Sequence, residues 1–331
     1  MFAFRLRGGR VVAALLSGAL VAVGVAAWSS SNSAAAGKRY HMVLIVGVTN
    51  NPFYTSMARG AQAEASTLGI SLTTQGATTW SPSQQTPILN AAVAEHPNAI
   101  ILVATDPKAM NLPLQQAKQA GIVTVTADSD VATPSNRIAF YASDSYQGGV
   151  LAGQFLNQQI HGQGQVFVLM AIPGDPSGDA RLAGFKAGLG PGVKSGKIDL
   201  LSVQYSGEDQ VKGTSIVEAV LQAHPHLAGL FAEDTINAQA AAVAINNAKL
   251  AGKVKAVAFD ASPLEIQAVK QGVFTALIGQ KPYNEGADAV EAAYQTLQGS
   301  HAYRGQTINT GFVIITHANV NSPLAKKYAY H

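Results

Sequence analysis

Asn50 and Asn51, followed by Pro52, Phe53 and Tyr54, set two amide hydrogen-bonders beside two flat aromatic faces within five residues. Amides and hydroxyls pair in either direction, and aromatic rings pack on C–H faces, so this combination suits a polyhydroxylated ligand. The same residues also suit a helix start, with Asn51 as N-cap and Pro52 in the first turn, and the two readings are compatible. Arg181 follows the Gly/Pro-rich stretch 173–178 and falls in the first turns of an expected helix. Its guanidinium offers up to five N–H donors in a fixed fork, suited to ring and hydroxyl oxygens; a plain surface arginine is the alternative. Asp128 and Asp260 each end an apolar run, where a carboxylate accepts hydroxyl protons in charge-assisted bonds. A strand-end aspartate is also a common N-cap, and Asp260, before Ala261-Ser262-Pro263, can be that alone.

The elements that must hold these residues are legible as an alternation. Strand-like apolar runs fall at 42–48, 71–75, 99–104, 122–127, 138–141, 165–171, 200–204, 228–232, 254–259 and 275–278. Amphipathic stretches between them, at 56–68, 85–95, 148–159, 212–223 and 236–248, predict helices. Continuous apolar strands alternating with helices imply parallel sheets covered on both faces. Two sheets of about four to six strands fit this length better than one long sheet. The expected fold is therefore α/β, as two doubly wound Rossmann-like lobes, with 311–316 a short late strand. Ligands in such sheets bind at the carboxyl ends of the strands, which is where residues 49–54 lie.

The first residues indicate a destination. Arg5, Arg7 and Arg10 precede an uncharged run of 18 residues, 11–28, and a Ser/Ala tract ending Ala34-Ala35-Ala36. These are the parts of a secretory signal peptide over 1–36, leaving Gly37 first after cleavage; an uncleaved anchor is the alternative. Those three arginines carry the whole formal charge of +3, so the remaining 295 residues are formally neutral. A neutral chain without a Lys/Arg cluster carries no electrostatic footprint for nucleic acid. The absence of cysteine removes disulfides, Cys-based metal sites and Cys nucleophiles.

In order along the chain, Asn50-Asn51-Pro52-Phe53-Tyr54, Asp128, Ala142-Ser143-Asp144, Arg181 to Phe185, Phe259-Asp260 and Gln280-Lys281-Pro282 resemble the periplasmic sugar-binding proteins of ABC importers, the ribose-binding type in particular. The resemblance runs from about residue 40 to 316. It implies the type I periplasmic binding protein fold: two lobes joined by a three-segment hinge, with crossings near Ser143–Asp144, 280–283 and Thr310–Gly311. The lobes would be 37–143 with 281–310, and 144–280 with 311–331. It further implies ligand contacts from Asn51, Phe53, Tyr54, Asp128, Arg181, Asp234, Asp260 and Gln280. Partners would be a small neutral sugar or polyol and the membrane subunits of an ABC permease, with no cofactor, no metal and no nucleic acid, in a monomeric periplasmic protein.

Departures from the ribose type bear on the ligand. Ser129 stands where that type has arginine, Ala104 where it has asparagine, Glu208 where it has an aromatic, and Asp234-Thr235 where it has Asn-Asp. The site loses a cation and gains carboxylates, which disfavours an anionic ligand and makes ribose itself doubtful. A neutral polyol, another sugar or an amino-bearing compound suits the set, and Trp80 is a candidate replacement plate. The loop 173–178 lacks the Gly-Lys-Ser/Thr ending of a phosphate loop, no Gly-x-Gly-x-x-Gly opens the first helix, and no Gly-x-Ser-x-Gly elbow occurs. His224-Pro225-His226 reads as a solvated turn. A sensory receptor of the same fold is the alternative function, and a glycoside hydrolase using Asp128 and Asp260 is a remote one.

Overall fold

A computed structural model describes residues 40–330; the leader expected at 1–36 lies outside them. The chain opens with β1 (His41–Val46), α1 (Pro52–Thr67), β2 (Ser71–Gly76), α2 (Pro82–Ala94), β3 (Ala99–Leu102), α3 (Asn111–Gln119), β4 (Val123–Ala127), β5 (Ala139–Ala142) and α4 (Ser145–Gln159). It continues through β6 (Gly164–Met170), α5 (Pro176–Gly188), α6 (Pro191–Lys194), β7 (Ile198–Leu200), β8 (Gln204–Tyr205), α7 (Gln210–Ala223), β9 (Leu227–Ala232), α8 (Thr235–Asn247), β10 (Lys255–Phe259), α9 (Pro263–Lys270) and β11 (Ala276–Gly279). The remaining elements are α10 (Pro282–Leu297), β12 (Gln306–Asn309), β13 (Val313–Thr316) and α11 (Pro323–Tyr328).

Two sheets result. One runs β2-β1-β3-β4-β5-β12 and is parallel throughout; the other runs β7-β6-β9-β10-β11-β13, with β13 antiparallel and β8 pairing on β6. The chain passes from one sheet to the other after β5, after β11 and between β12 and β13. Central strands are apolar on both faces: β3 reads Ala-Ile-Ile-Leu and is buried at every position. This is what a parallel sheet sandwiched between helices requires.

The expectation of one strand over 200–204 is corrected. That stretch splits into β7 and β8, each pairing with β6 at a different height. The late strand expected at 311–316 begins at Val313 and closes the second sheet beside β11. β12, with the polar exposed sequence Gln-Thr-Ile-Asn, had no apolar run to announce it.

Helices that carry site residues are fixed by glycine contacts. A Cβ built on Gly149 of α4 would lie 2.1 Å from the Arg181 carbonyl oxygen, and one on Gly184 of α5 would lie 2.0 Å from that of Tyr146. The α1–α10 pair repeats the device, with Gly60 against the Tyr283 carbonyl and Gly286 against that of Met57. Backbones this close leave no room for any side chain, so the sequence must place glycine there.

Candidate functional site

Strand ends and helix starts converge on one cavity between the two sheets. Its wall takes Asn51, Phe53, Tyr54, Trp80 and Asp128 from the first sheet's side and Asp175, Arg181, Glu208, Glu233, Asp234 and Asp260 from the second, with Gln280 from the crossing after β11. All eight residues expected from the sequence therefore meet at a single place. Asn51, Asp175 and Asp234 are also the N-caps of α1, α5 and α8, accepting from the backbone N–H of Phe53, Gly178 and Asn237. Three helices thus direct the positive ends of their dipoles toward a region rich in carboxylates.

Backbone conformation marks the same region. Asn50, Asp128, Glu208 and Asp260 sit at φ between 60° and 77°, a left-handed conformation that costs a non-glycine residue about 1–2 kcal/mol. Among the described residues the other non-glycine residues at positive φ are His96, His161 and Lys249, just past the ends of α2, α4 and α8, where such geometry is ordinary helix termination.

On the first sheet's side, the Tyr54 hydroxyl donates to Asp128 Oδ2 at 2.8 Å. Its ring stacks on Trp80, centroids 6.2 Å apart, while Phe53 meets Tyr54 and Tyr330 edge-on. Loss of water around its carboxylate raises Asp128 to about 6, although Arg181 and the Tyr54 hydroxyl pull it down. Beneath this wall the buried amide of Gln85 bonds the Val103 carbonyl and accepts from Thr105, pinning the turn after β3.

Arg181 is buried, against the expectation's surface alternative. Its Nη1 donates to the Glu233 backbone carbonyl and to Glu233 Oε1, both at 3.1 Å, and the guanidinium lies 4.4 Å over the Phe259 ring. Burial works against its charge, but Glu233, Asp260, Asp128 and Asp175 more than compensate and raise its pKa. Nε is buried without a partner among the described residues. Burial and the adjacent Asp234 push Glu233 up to about 8 despite Arg181.

Asp260 does not cap the following helix; Ser262 does so, in a capping box with Glu265. The Asp260 carboxylate instead receives four donors. Thr235 N–H and hydroxyl reach Oδ2 at 3.0 and 2.8 Å, while Gln280 Nε2 and the Tyr330 hydroxyl each reach Oδ1 at 2.7 Å. Gln280 therefore spends its amide N–H on Asp260, leaving Oε1 as the end that can face a ligand. Glu208 and Asp234 line the cavity together and act on each other's ionisation. Burial, more than any neighbour, raises Glu208 to about 7 and moves Asp234 upward too.

Several lining residues escaped the sequence reading. Glu233 had no signal beyond its place next to Asp234. Asp175 and Ser177 lay in the loop 173–178, read there only as a connection; Tyr330, not itself in the lining, bonds Asp260 from 70 residues away. Trp80 and Glu208 both line the cavity. Ala104 and Ser129, the positions of lost polar groups, line a neighbouring cavity that meets the first at Asp128, Ser129 and Ser177. Among the described residues no group of His, Asp and Glu is arranged to hold a metal ion, and no helix is long and apolar enough to cross a membrane.

Comparison with known proteins agrees with this geometry. The chain matches the family described as "Periplasmic binding protein domain" over residues 42–301. It is 30% identical over 294 residues to the "Ribose import binding protein RbsB" of Salmonella typhimurium, covering 88% of this chain and 96% of that protein. Among solved structures, an ABC transporter solute-binding protein from Agrobacterium vitis bound with alpha-D-tagatopyranose is 32% identical, with a TM-score of 0.83 over 88% of this chain and all of that one. A second Agrobacterium vitis solute-binding protein, with bound D-fucose, is 27% identical at a TM-score of 0.82, again over 88% of this chain and all of that one.

Proposed function

The chain belongs to the periplasmic binding protein family, and from that premise we propose that it is the sugar-capturing component of an ABC importer. It is a binding protein and not an enzyme: it takes a small hydroxylated ligand between its lobes, closes about the hinge and presents the closed form to a membrane permease. Contacts from both lobes stabilise the closed state, because the open state cannot make them together. The observation that carries the reading is the convergence of hydroxyl-binding groups from both sheets on one cavity. Tyr54 and Asp128 come from the first sheet's side, Arg181 and Asp260 from the second, and Gln280 from the crossing after β11.

In this reading Asn51, Phe53, Tyr54, Asp128, Arg181, Asp234, Asp260 and Gln280 contact the ligand, and Trp80 adds an aromatic plate. The lobes are 37–143 with 281–310 and 144–280 with 311–331, supported by the strand membership of the two sheets and by the packing of α10 on α1. The leader 1–36 directs export to the periplasm. One polypeptide supplies both walls of the cleft, so a monomer suffices. Ribose is disfavoured as the ligand because Ser129 and Ala104 leave its neighbourhood without the polar groups of the ribose type.

The test is a thermal-unfolding screen of the purified protein against pentoses, hexoses, polyols and amino sugars. Ligand at about a hundred times its dissociation constant adds roughly 2.7 kcal/mol, a shift easily seen. Arg181→Lys keeps the charge but loses the fork; each charge-assisted bond lost is worth about 1.5–3 kcal/mol, so affinity should fall about 10- to 100-fold. Unchanged affinity in that variant would remove Arg181 from the site.

A further inference from the structure

The cavity wall carries six carboxyl groups, Asp128, Asp175, Glu208, Glu233, Asp234 and Asp260, against the single cation Arg181. Most of them are satisfied from within the protein. Asp260 has four donors, Glu233 has Arg181 and the Ala171 N–H, Asp128 has Tyr54, and Asp175 has the Gly178 N–H. Glu208 differs: its side-chain oxygens receive no N–H from the described residues, and the acids Asp234, Glu233, Asp175 and Asp260 all bear on it. The Asp234 Oδ1 atom already accepts from the Asn237 N–H and amide, and burial raises the pKa of both Asp234 and Glu208. Glu208 is held there at φ 62°, next to Gly207 at φ 75°, on the loop between β8 and α7. On the same side of the cavity the buried Arg181 keeps Nε without a partner among the described residues, a donor awaiting an oxygen.

We infer that this cleft selects an amino-bearing sugar or amino polyol, with the ligand's ammonium seated between Glu208 and Asp234 and its hydroxyl or ring oxygen on Arg181. The inference rests on the proposed role of the cleft as a sugar site. An ammonium supplies several N–H donors and a full positive charge to the Glu208 carboxyl and the remaining oxygen of Asp234. A metal ion is the other way to neutralise such a wall, but no cluster with ligand geometry exists among the described residues. Asp175, Glu233 and Asp260 bear on Glu208 as well as Asp234, all of them acids, and the positive groups that oppose them nearby are the α8 N-terminus at Asp234 and the Lys212 ammonium beside Gly207.

Calorimetry on the whole protein with paired probes tests this: D-glucosamine against D-glucose, D-galactosamine against D-galactose, and N-acetyl-D-glucosamine as the uncharged control. The aminated member of at least one pair should bind about tenfold or more tighter than both its hydroxyl partner and the acetylated control. Binding in buffers of different ionisation enthalpy should release protons for the amine and none for the neutral sugar, since a cation beside Glu208 and Asp234 favours their ionised forms. Glu208→Gln should abolish the preference and the proton release, and Asp234→Asn, which keeps the helix cap, should do the same. Equal or tighter binding of the neutral partners overturns the amine selectivity while leaving the cleft a sugar site. A preference for the amine that survives both substitutions overturns the assignment to Glu208 and Asp234. Binding of no probe by the folded protein overturns both this inference and the sugar-site reading beneath it.

Discussion

Tyr54 and Asp128 show how a residue that looks like a stacking plate can act as an electrostatic part. The ring packs on Trp80, but the hydroxyl holds one oxygen of Asp128 and thereby helps keep that acid ionised. Tyr54→Phe should cost about 1–3 kcal/mol of stability, because a partly buried acceptor loses its donor. It should also move Asp128 further above its present value of about 6. A bound hydroxyl that donates to the ionised carboxylate would then be lost at a higher pH. Ligand titrations from neutral to acid pH check this: the acid loss of affinity should begin earlier in the variant. An unshifted midpoint would mean that the hydroxyl does not tune Asp128. The positions of Asp128 and Asp260 were legible because each follows an apolar strand whose end is a ligand site by topology. Their partners were not. No local pattern ties Tyr330 to Asp260, or marks Glu233 as the counter-charge of Arg181, because both contacts join segments far apart in sequence.

At the scale of elements, the paired helices α4 and α5 set where Arg181 stands. Gly149, Gly153, Gly184 and Gly188 let the two backbones touch, and Gly149 abuts the carbonyl of Arg181 itself. Gly149→Ala must push α5 away from α4 or distort its first turns. The expected cost is about 1–3 kcal/mol or more, seen as a lower unfolding midpoint, together with weaker ligand binding because the guanidinium moves. Retained affinity in a destabilised variant would show that α5 absorbs the strain away from Arg181. Strands were readable where burial imposes apolar runs, and several helices by their spacing, but α3, α9 and α10 were not read although each buries a face. Elements at the sheet edges escaped or blurred: β12 is polar and exposed, and β7 and β8 are too short to show a period. Packing contacts made by glycine were also silent, because a glycine required by a neighbouring backbone looks like any other.

Across the whole molecule the three crossings meet at one buried acid. Glu285, in the first turn of α10, accepts from the Thr310 hydroxyl at 2.9 Å and the Ser143 hydroxyl at 3.3 Å, so it touches two crossings and stands at the start of the third. Burial, reinforced by Asp128, raises it to about 8 although both hydroxyls oppose the shift. Folding therefore favours its protonated form: that contribution to stability is full below the usual value of 4.5 and is lost as pH rises to about 8. Glu285→Gln should be the less stable protein in acid and gain on the native chain as pH rises, in unfolding midpoints measured over that range. A constant difference would remove Glu285 as the source. The placement of β12 and β13 has a consequence in time. They lie a few residues apart, yet one finishes the first sheet and the other finishes the second. A polypeptide emerging from its amino end keeps two open sheet edges until both strands have been made, and Asp260 waits longer still for the Tyr330 hydroxyl. Neither sheet is complete until these late strands have been made.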